Sequence, residues 1–187
     1  MLPQNFSKYI LKVKGLRRKL KIIIVSRSEQ ETQKIGRTLG GILAAQLDSG
    51  RFPGGLTVML KGNLGAGKTC FVKGVADYIV PDQRVTSPSY TLINEYTSEA
   101  VKLVHADLYR MNRVEEVEYI GLYDYPRSRT ILMIEWPEKV KDFWQRYVCL
   151  EIVKESQYTR KLEFEAEGEE ENMLLEELSQ SYDDSGD

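Results

Sequence analysis

The sequence predicts an α/β domain of three layers, with helices on both faces of a central, mostly parallel sheet. Two observations predict it. Short β-branched runs alternate with stretches of helical periodicity along the chain. One strand, Leu56 to Leu60, also runs straight into a glycine-rich turn and then a helix, the order of elements found in such sheets.

Each element follows from local chemistry. Lys21 to Ser26 is rich in β-branched residues and reads as a strand. Ser28 is placed to cap a helix from Glu29 to Leu47, with Ile35, Leu39, Ile42 and Leu43 at helical spacing. Asp48 to Gly55 holds three glycines and a proline and reads as a loop. A helix is expected after the glycine-rich turn, to about Val80. Tyr90 to Tyr96 and Val101 to His105 read as strands joined by a polar turn. Val114 to Ile120 is expected to be helical, and Thr130 to Ile134 a strand. Pro137 to Trp144 opens on a proline suited to a first helical turn, which predicts a short helix. Tyr147 to Val153 and Lys161 to Ala166 read as a final β-pair.

The 187 residues, 42% hydrophobic and 29% charged, suit one soluble domain, expected in the cytoplasm. No apolar run approaches the length of a membrane span, and no membrane partner is expected. The net charge of −2 gives no whole-molecule field for nucleic acid. Charge is instead concentrated at the two ends. Lys8, Lys12, Lys14, Arg17, Arg18, Lys19 and Lys21 precede the first acidic residue, Glu29, and residues 168–187 carry eight acidic side chains and no basic one. Residues 1–20 are therefore expected to be a basic, disordered extension that could touch a partner or tRNA. Residues 21–167 are expected to be the folded domain, and 168–187 an acidic tail dispensable for nucleotide binding. The basic start has no apolar core of the kind a secretory signal needs, and lacks the Ser and Arg richness of a transit peptide. One histidine and two distant cysteines exclude a zinc site; Cys70 and Cys149 read as reduced core thiols.

The chemistry starts at Gly62-Asn63-Leu64-Gly65-Ala66-Gly67-Lys68-Thr69, which matches the P-loop pattern G-x-x-x-x-G-K-[ST] at every fixed position. The glycines let backbone N–H groups converge on one point, and the helix start adds positive charge. Lys68 can reach β and γ phosphates, and Thr69 can offer a hydroxyl to magnesium. A carboxylate at a neighbouring strand end would complete the cation site, and both Asp107 and Glu135 are placed for it. Either can hold the metal while the other orients or deprotonates a water. Thr86 to Thr91 is rich in hydroxyls and pinned by Pro88, as a γ-phosphate-sensing switch would be. His105 reads as a core residue or one standing behind the site. Trp136, next to Glu135, falls within reach of a nucleotide.

Four blocks together resemble the TsaE family: GNLGAGKT from Gly62, SPSYTLINEY from Ser87, HADLYR from His105 and EWPE from Glu135. Their order and spacing hold from about Ser28 to Ala166. The resemblance implies a P-loop NTPase fold and a slow ATPase that needs ATP and Mg2+. It implies service in threonylcarbamoyladenosine modification of tRNA beside the anticodon, with a TsaD-like catalytic subunit and a TsaB-like scaffold subunit, and contact with tRNA only through them. By position, Gly62, Asn63, Leu64, Gly65, Ala66, Gly67, Lys68, Thr69 and Cys70 would surround the phosphates. Thr69 and Glu135 would ligate magnesium, and Asp107 would be the catalytic or metal-positioning acid, with Lys68 beside it. Ser87 to Tyr90 would form the switch, Glu29 and Thr32 would lie by the adenine, and Arg160 could reach the nucleotide. The chain departs from the pattern mildly: Asn63 stands where an acid is common, and Ser89-Tyr90 where Thr-Phe or Thr-Tyr is usual. Three other readings remain. A small-molecule kinase lacks an arginine-rich lid in this sequence, a nucleotide-switched adaptor would need no turnover, and a GTPase lacks the N-K-x-D motif.

Overall fold

The computed structural model describes residues 8–13, 19–111, 113–125, 128–140 and 143–182. Eight strands form one sheet in the order β1-β2-β8-β7-β3-β6-β5-β4. They are β1 (Lys8–Val13), β2 (Lys19–Ser26), β3 (Leu56–Lys61), β4 (Ile93–Thr97), β5 (Lys102–Asp107), β6 (Thr130–Glu135), β7 (Val148–Lys154) and β8 (Arg160–Ala166). The four central strands, β7, β3, β6 and β5, run parallel; the flanking strands pair antiparallel. The helices are α1 (Glu29–Asp48), α2 (Lys68–Ile79), α3 (Val114–Tyr119) and α4 (Glu169–Gln180).

Strand periodicity of two divides the core into two layers. On β5 and β6, Leu103, Ile131 and Met133 join a cluster with α1, α2 and α4. The alternate residues Val104, Ala106, Leu132 and Ile134 join a second cluster with Val117 of α3 and with Leu122 and Val140. That is the expected three-layer α/β arrangement. Beyond β7 the second face carries charge instead, with Lys19 2.9 Å from Glu165 and Lys21 paired to Glu163.

α1 starts where the sequence places it. Ser28 Oγ accepts from the Glu31 N–H at 3.0 Å, and the Glu31 carboxylate accepts from the Arg27 N–H. α1 lies very close to α2, because a Cβ on Gly74 would sit 2.1 Å from the Gln33 carbonyl oxygen. Gly74→Ala is therefore expected to cost about 1–3 kcal/mol, as overpacking does, and to lower the melting temperature by several degrees in a thermal scan. An unchanged melt would show that the helices can part without loss.

Three expectations are corrected. Lys8–Val13, placed in a disordered extension, is strand β1, because its backbone completes the edge ladder of β2; Lys14, Arg17 and Arg18 lie outside the described residues. Most of the expected acidic tail is helix α4. Its Leu174, Leu175 and Leu178 are fully buried, while its acids face outward or pair with Arg146 and Gln46. Residues 183–187 lie outside the described residues. Among the described residues the helix expected over Pro137–Trp144 is broken into 3-10 geometry, a turn at Pro137–Lys139 and then Phe143, whose N–H donates to the Val140 carbonyl at 3.0 Å. Val140 leaves helical geometry at φ −127° and buries itself in the second core cluster.

Candidate functional site

β3 delivers the chain to residues 62–67 at the sheet's C-terminal edge. Gly62 adopts φ +133°, and a Cβ there would meet the Ile152 carbonyl oxygen at 2.5 Å. Only glycine fits both demands. Gly67, at φ +115°, is the N-cap of α2 and offers no side chain. No acidic residue stands in the first turn of α2 either, so its exposed amides and partial positive charge are left for an anion.

Lys68 is 4% exposed. Its ammonium donates to the Gly62 carbonyl at 2.7 Å and the Asn63 carbonyl at 3.3 Å, and lies 4.1 Å from the centroid of the Trp136 ring. Burial pulls its pKa below the ordinary lysine value, against the nearby carboxylates of Glu135, Asp107 and Glu138. Trp136 holds φ +59°, a costly conformation for a side chain of this size, next to Glu135 and directly before Pro137.

β5 and β6 pair so that Asp107 and Glu135 are direct neighbours at the strand ends. Both are buried, at 5% and 4% exposure. The Thr69 hydroxyl donates to Glu135 Oε1 at 2.8 Å, and His105 Nε2 meets the same oxygen at 2.9 Å. Asp107 accepts from the Ser89 hydroxyl at 2.8 Å and the Tyr109 N–H at 3.0 Å, and Ser89 is bonded to Ser87 at 2.7 Å. The hydroxyl-rich loop is thus tied to one carboxylate, and the P-loop threonine to the other. Thr69, Glu135, Asp107, Ser87, Ser89 and Tyr109 line one pocket of about 250 Å³, with His105 behind it. Among the described residues no cluster of three His, Cys, Asp or Glu side chains could hold a metal unaided. A hydroxyl and carboxylates beside a phosphate cradle do fit an oxygen-seeking cation completed by phosphate and water, as magnesium is.

The family model for "Threonylcarbamoyl adenosine biosynthesis protein TsaE" matches residues 26–162. The chain belongs to the TsaE family. It is 36% identical over 126 residues to the tRNA threonylcarbamoyladenosine biosynthesis protein TsaE of Bacillus subtilis, covering 67% of this chain and 78% of that protein. It is 43% identical over 84 residues to that of Haemophilus influenzae, covering 45% of this chain and 53% of that protein. The crystal structure of Bacillus subtilis YdiB superposes with a TM-score of 0.69 at 27% identity, over 90% of this chain and 99% of that one.

Within this TsaE-family fold, Leu64, Gly65, Ala66, Gly67, Lys68, Thr69, Cys70, Ser87, Asp107, Glu135 and Trp136 all line the pocket. Gly62 and Asn63 do not line it; they hold Lys68 through their carbonyls. Arg160 also stays outside, where its Nε donates to the Ala66 carbonyl at 2.8 Å and props the loop from behind. Glu29 and Thr32 do not line it either. Thr32 spends its hydroxyl on Ser26 (2.7 Å) and the Ser28 carbonyl at the start of α1. The Glu29 carbonyl accepts from the Cys70 thiol at 3.6 Å, so the start of α1 does lie against the start of α2. Burial lifts the Cys70 thiol to about 11, so it stays neutral and unreactive beside the P-loop.

Sequence reasoning passed over Tyr109, which lines the pocket with its ring 5.0 Å from that of Trp136. Its signal was the i+2 spacing from Asp107. Larger clefts open elsewhere, one of about 430 Å³ walled by Tyr123, Phe143 and Trp144, another of about 430 Å³ by Lys19, Lys61 and Glu165, and a shallow one of about 650 Å³ by Arg113, Glu115 and Tyr119. None of the three includes a residue of the P-loop. Among the described residues no helix is long and apolar enough to cross a membrane.

Proposed function

We propose that this chain is a magnesium-dependent ATPase of tRNA threonylcarbamoyladenosine biosynthesis, cytoplasmic, and activated by TsaD-like and TsaB-like partner subunits. The observation that carries the reading is the convergence of Lys68, the Thr69–Glu135 pair and the Ser89–Asp107 pair on one pocket. Lys68 exchanges its two loop carbonyls for β and γ phosphate oxygens, and the first amides of α2 take the remaining charge. Thr69 and Glu135 hold the magnesium ion, whose charge offsets that of the phosphates. Asp107 orients the attacking water and accepts its proton. The Ser89 contact makes that carboxylate sensitive to the position of the 86–91 loop. Trp136 and Tyr109 form the pocket's aromatic wall.

The test is steady-state ATP hydrolysis by the chain alone and with its two partner subunits. Strong stimulation is expected, and Asp107→Ala is expected to lower the stimulated rate about 10²–10⁴-fold, the span of a lost general base. Turnover that appears only with a small phosphate acceptor would replace this reading with a kinase. An Asp107→Ala protein that still supports tRNA modification would replace it with a nucleotide-switched adaptor.

A further inference from the structure

His105 lies on β5 two residues before Asp107, on the same strand face as Leu103. It is fully buried and lines none of the pocket. Its Nε2 is 2.9 Å from Glu135 Oε1, the oxygen that already takes the Thr69 hydroxyl hydrogen at 2.8 Å. A carboxylate oxygen beside a ring nitrogen must accept, so Nε2 carries the hydrogen. Nδ1 is buried without a partner among the described residues. An unpaired buried polar atom costs stability, and an apolar side chain at this place in the core would avoid the cost.

We propose that His105 is a positioning residue for the cation site. It pins Glu135 Oε1 together with Thr69 and so leaves Oε2 as the oxygen available to magnesium or its water. The proposal rests on the reading of Thr69 and Glu135 as cation ligands. Partners standing behind a ligand fix its orientation, and their loss commonly costs tenfold or more in metal affinity. The short path also explains why a lone histidine sits in an apolar layer: its reach, through Nε2, matches the distance to the end of β6.

Glutamine and asparagine separate reach from packing. The glutamine amide nitrogen lies as many bonds from Cα as Nε2 does, whereas that of asparagine stops one bond short. ATP binding would be measured by calorimetry across a magnesium titration and again in EDTA, with a thermal melt of each apo protein. His105→Asn is expected to raise the half-effective magnesium concentration about tenfold. His105→Gln should stay within about twofold of the parent, and ATP affinity in EDTA should be the same in all three. A parent-like magnesium requirement in His105→Asn overturns the proposal. So does a requirement raised equally by Gln and Asn, or a failure of both variants to fold, since each makes the residue a packing element. ATP affinity indifferent to magnesium in the parent itself would overturn the cation reading beneath it, an outcome seen before any variant is made.

Discussion

Lys68→Ala is expected to weaken ATP binding about 30-fold. One charge pair about 4 Å apart at a protein-like permittivity is worth about 4 kcal/mol. Against that stand the two neutral carbonyl contacts that Lys68 gives up, each worth about 1 kcal/mol. The difference of roughly 2 kcal/mol is about one and a half decades in affinity. The fold should survive, because the loop is also held by Arg160 from behind and by its glycine geometry. The pH dependence has a definite sign. Burial lowers the Lys68 pKa, so the free protein loses this charge at a lower pH than an ordinary lysine would. Affinity should therefore fall as pH rises towards the lysine range, while the alanine variant follows a flatter profile. Calorimetric titration of both proteins with ATP and magnesium checks the two claims together. Unchanged affinity in the variant would remove Lys68 from the site.

How much of this site the sequence could yield depends on how local each feature is. The P-loop is legible because its strand, turn and helix are contiguous, and the glycines at positions 62, 65 and 67 each answer a positive φ. The Ser28 cap is legible for the same reason. Asp107 and Glu135 could be named as strand-end acids, but not as neighbours. Their adjacency comes from the β5–β6 register, 28 residues apart in sequence, which only the assembled sheet sets. His105 could not be tied to Glu135 by spacing, since the contact crosses between strands. The Pro137 helix failed because proline fits a first turn, yet Trp136 enters that turn from the left-handed region and Val140 leaves it at once. Thr32 was placed near the adenine by position alone, and its hydroxyl proves to be committed to the helix start.

The acidic C-terminal segment shows a global property misleading a local one. Eight acids drew attention from Leu174, Leu175 and Leu178, whose spacing of one, three and four is that of a buried helical stripe. Removing residues 168–187 is now expected to unfold the chain, contrary to what its charge suggests. Burial of a leucine contributes about 1.5–3 kcal/mol, so three contribute about 5–9 kcal/mol, most of the net stability of a domain. Tyr182, whose hydroxyl reaches Thr38 of α1, would be lost as well, and the apolar face of α1, β2 and β8 would be laid bare. A graded version keeps the test informative if the truncated chain cannot be purified. Leu175→Ala should cost about 2–5 kcal/mol, read as a lowered melting temperature. Because no residue of α4 lines the phosphate pocket, this variant should still bind ATP as the parent does. Saturating nucleotide at about 100 times its dissociation constant should then restore about 2.7 kcal/mol. A truncated chain that melted with the parent and kept its ATP affinity would make α4 an appendage and confine the folding unit to the residues before it. A Leu175→Ala protein that melted lower but also lost ATP affinity would instead show that α4 supports the phosphate site through α1, whose first turn touches Cys70.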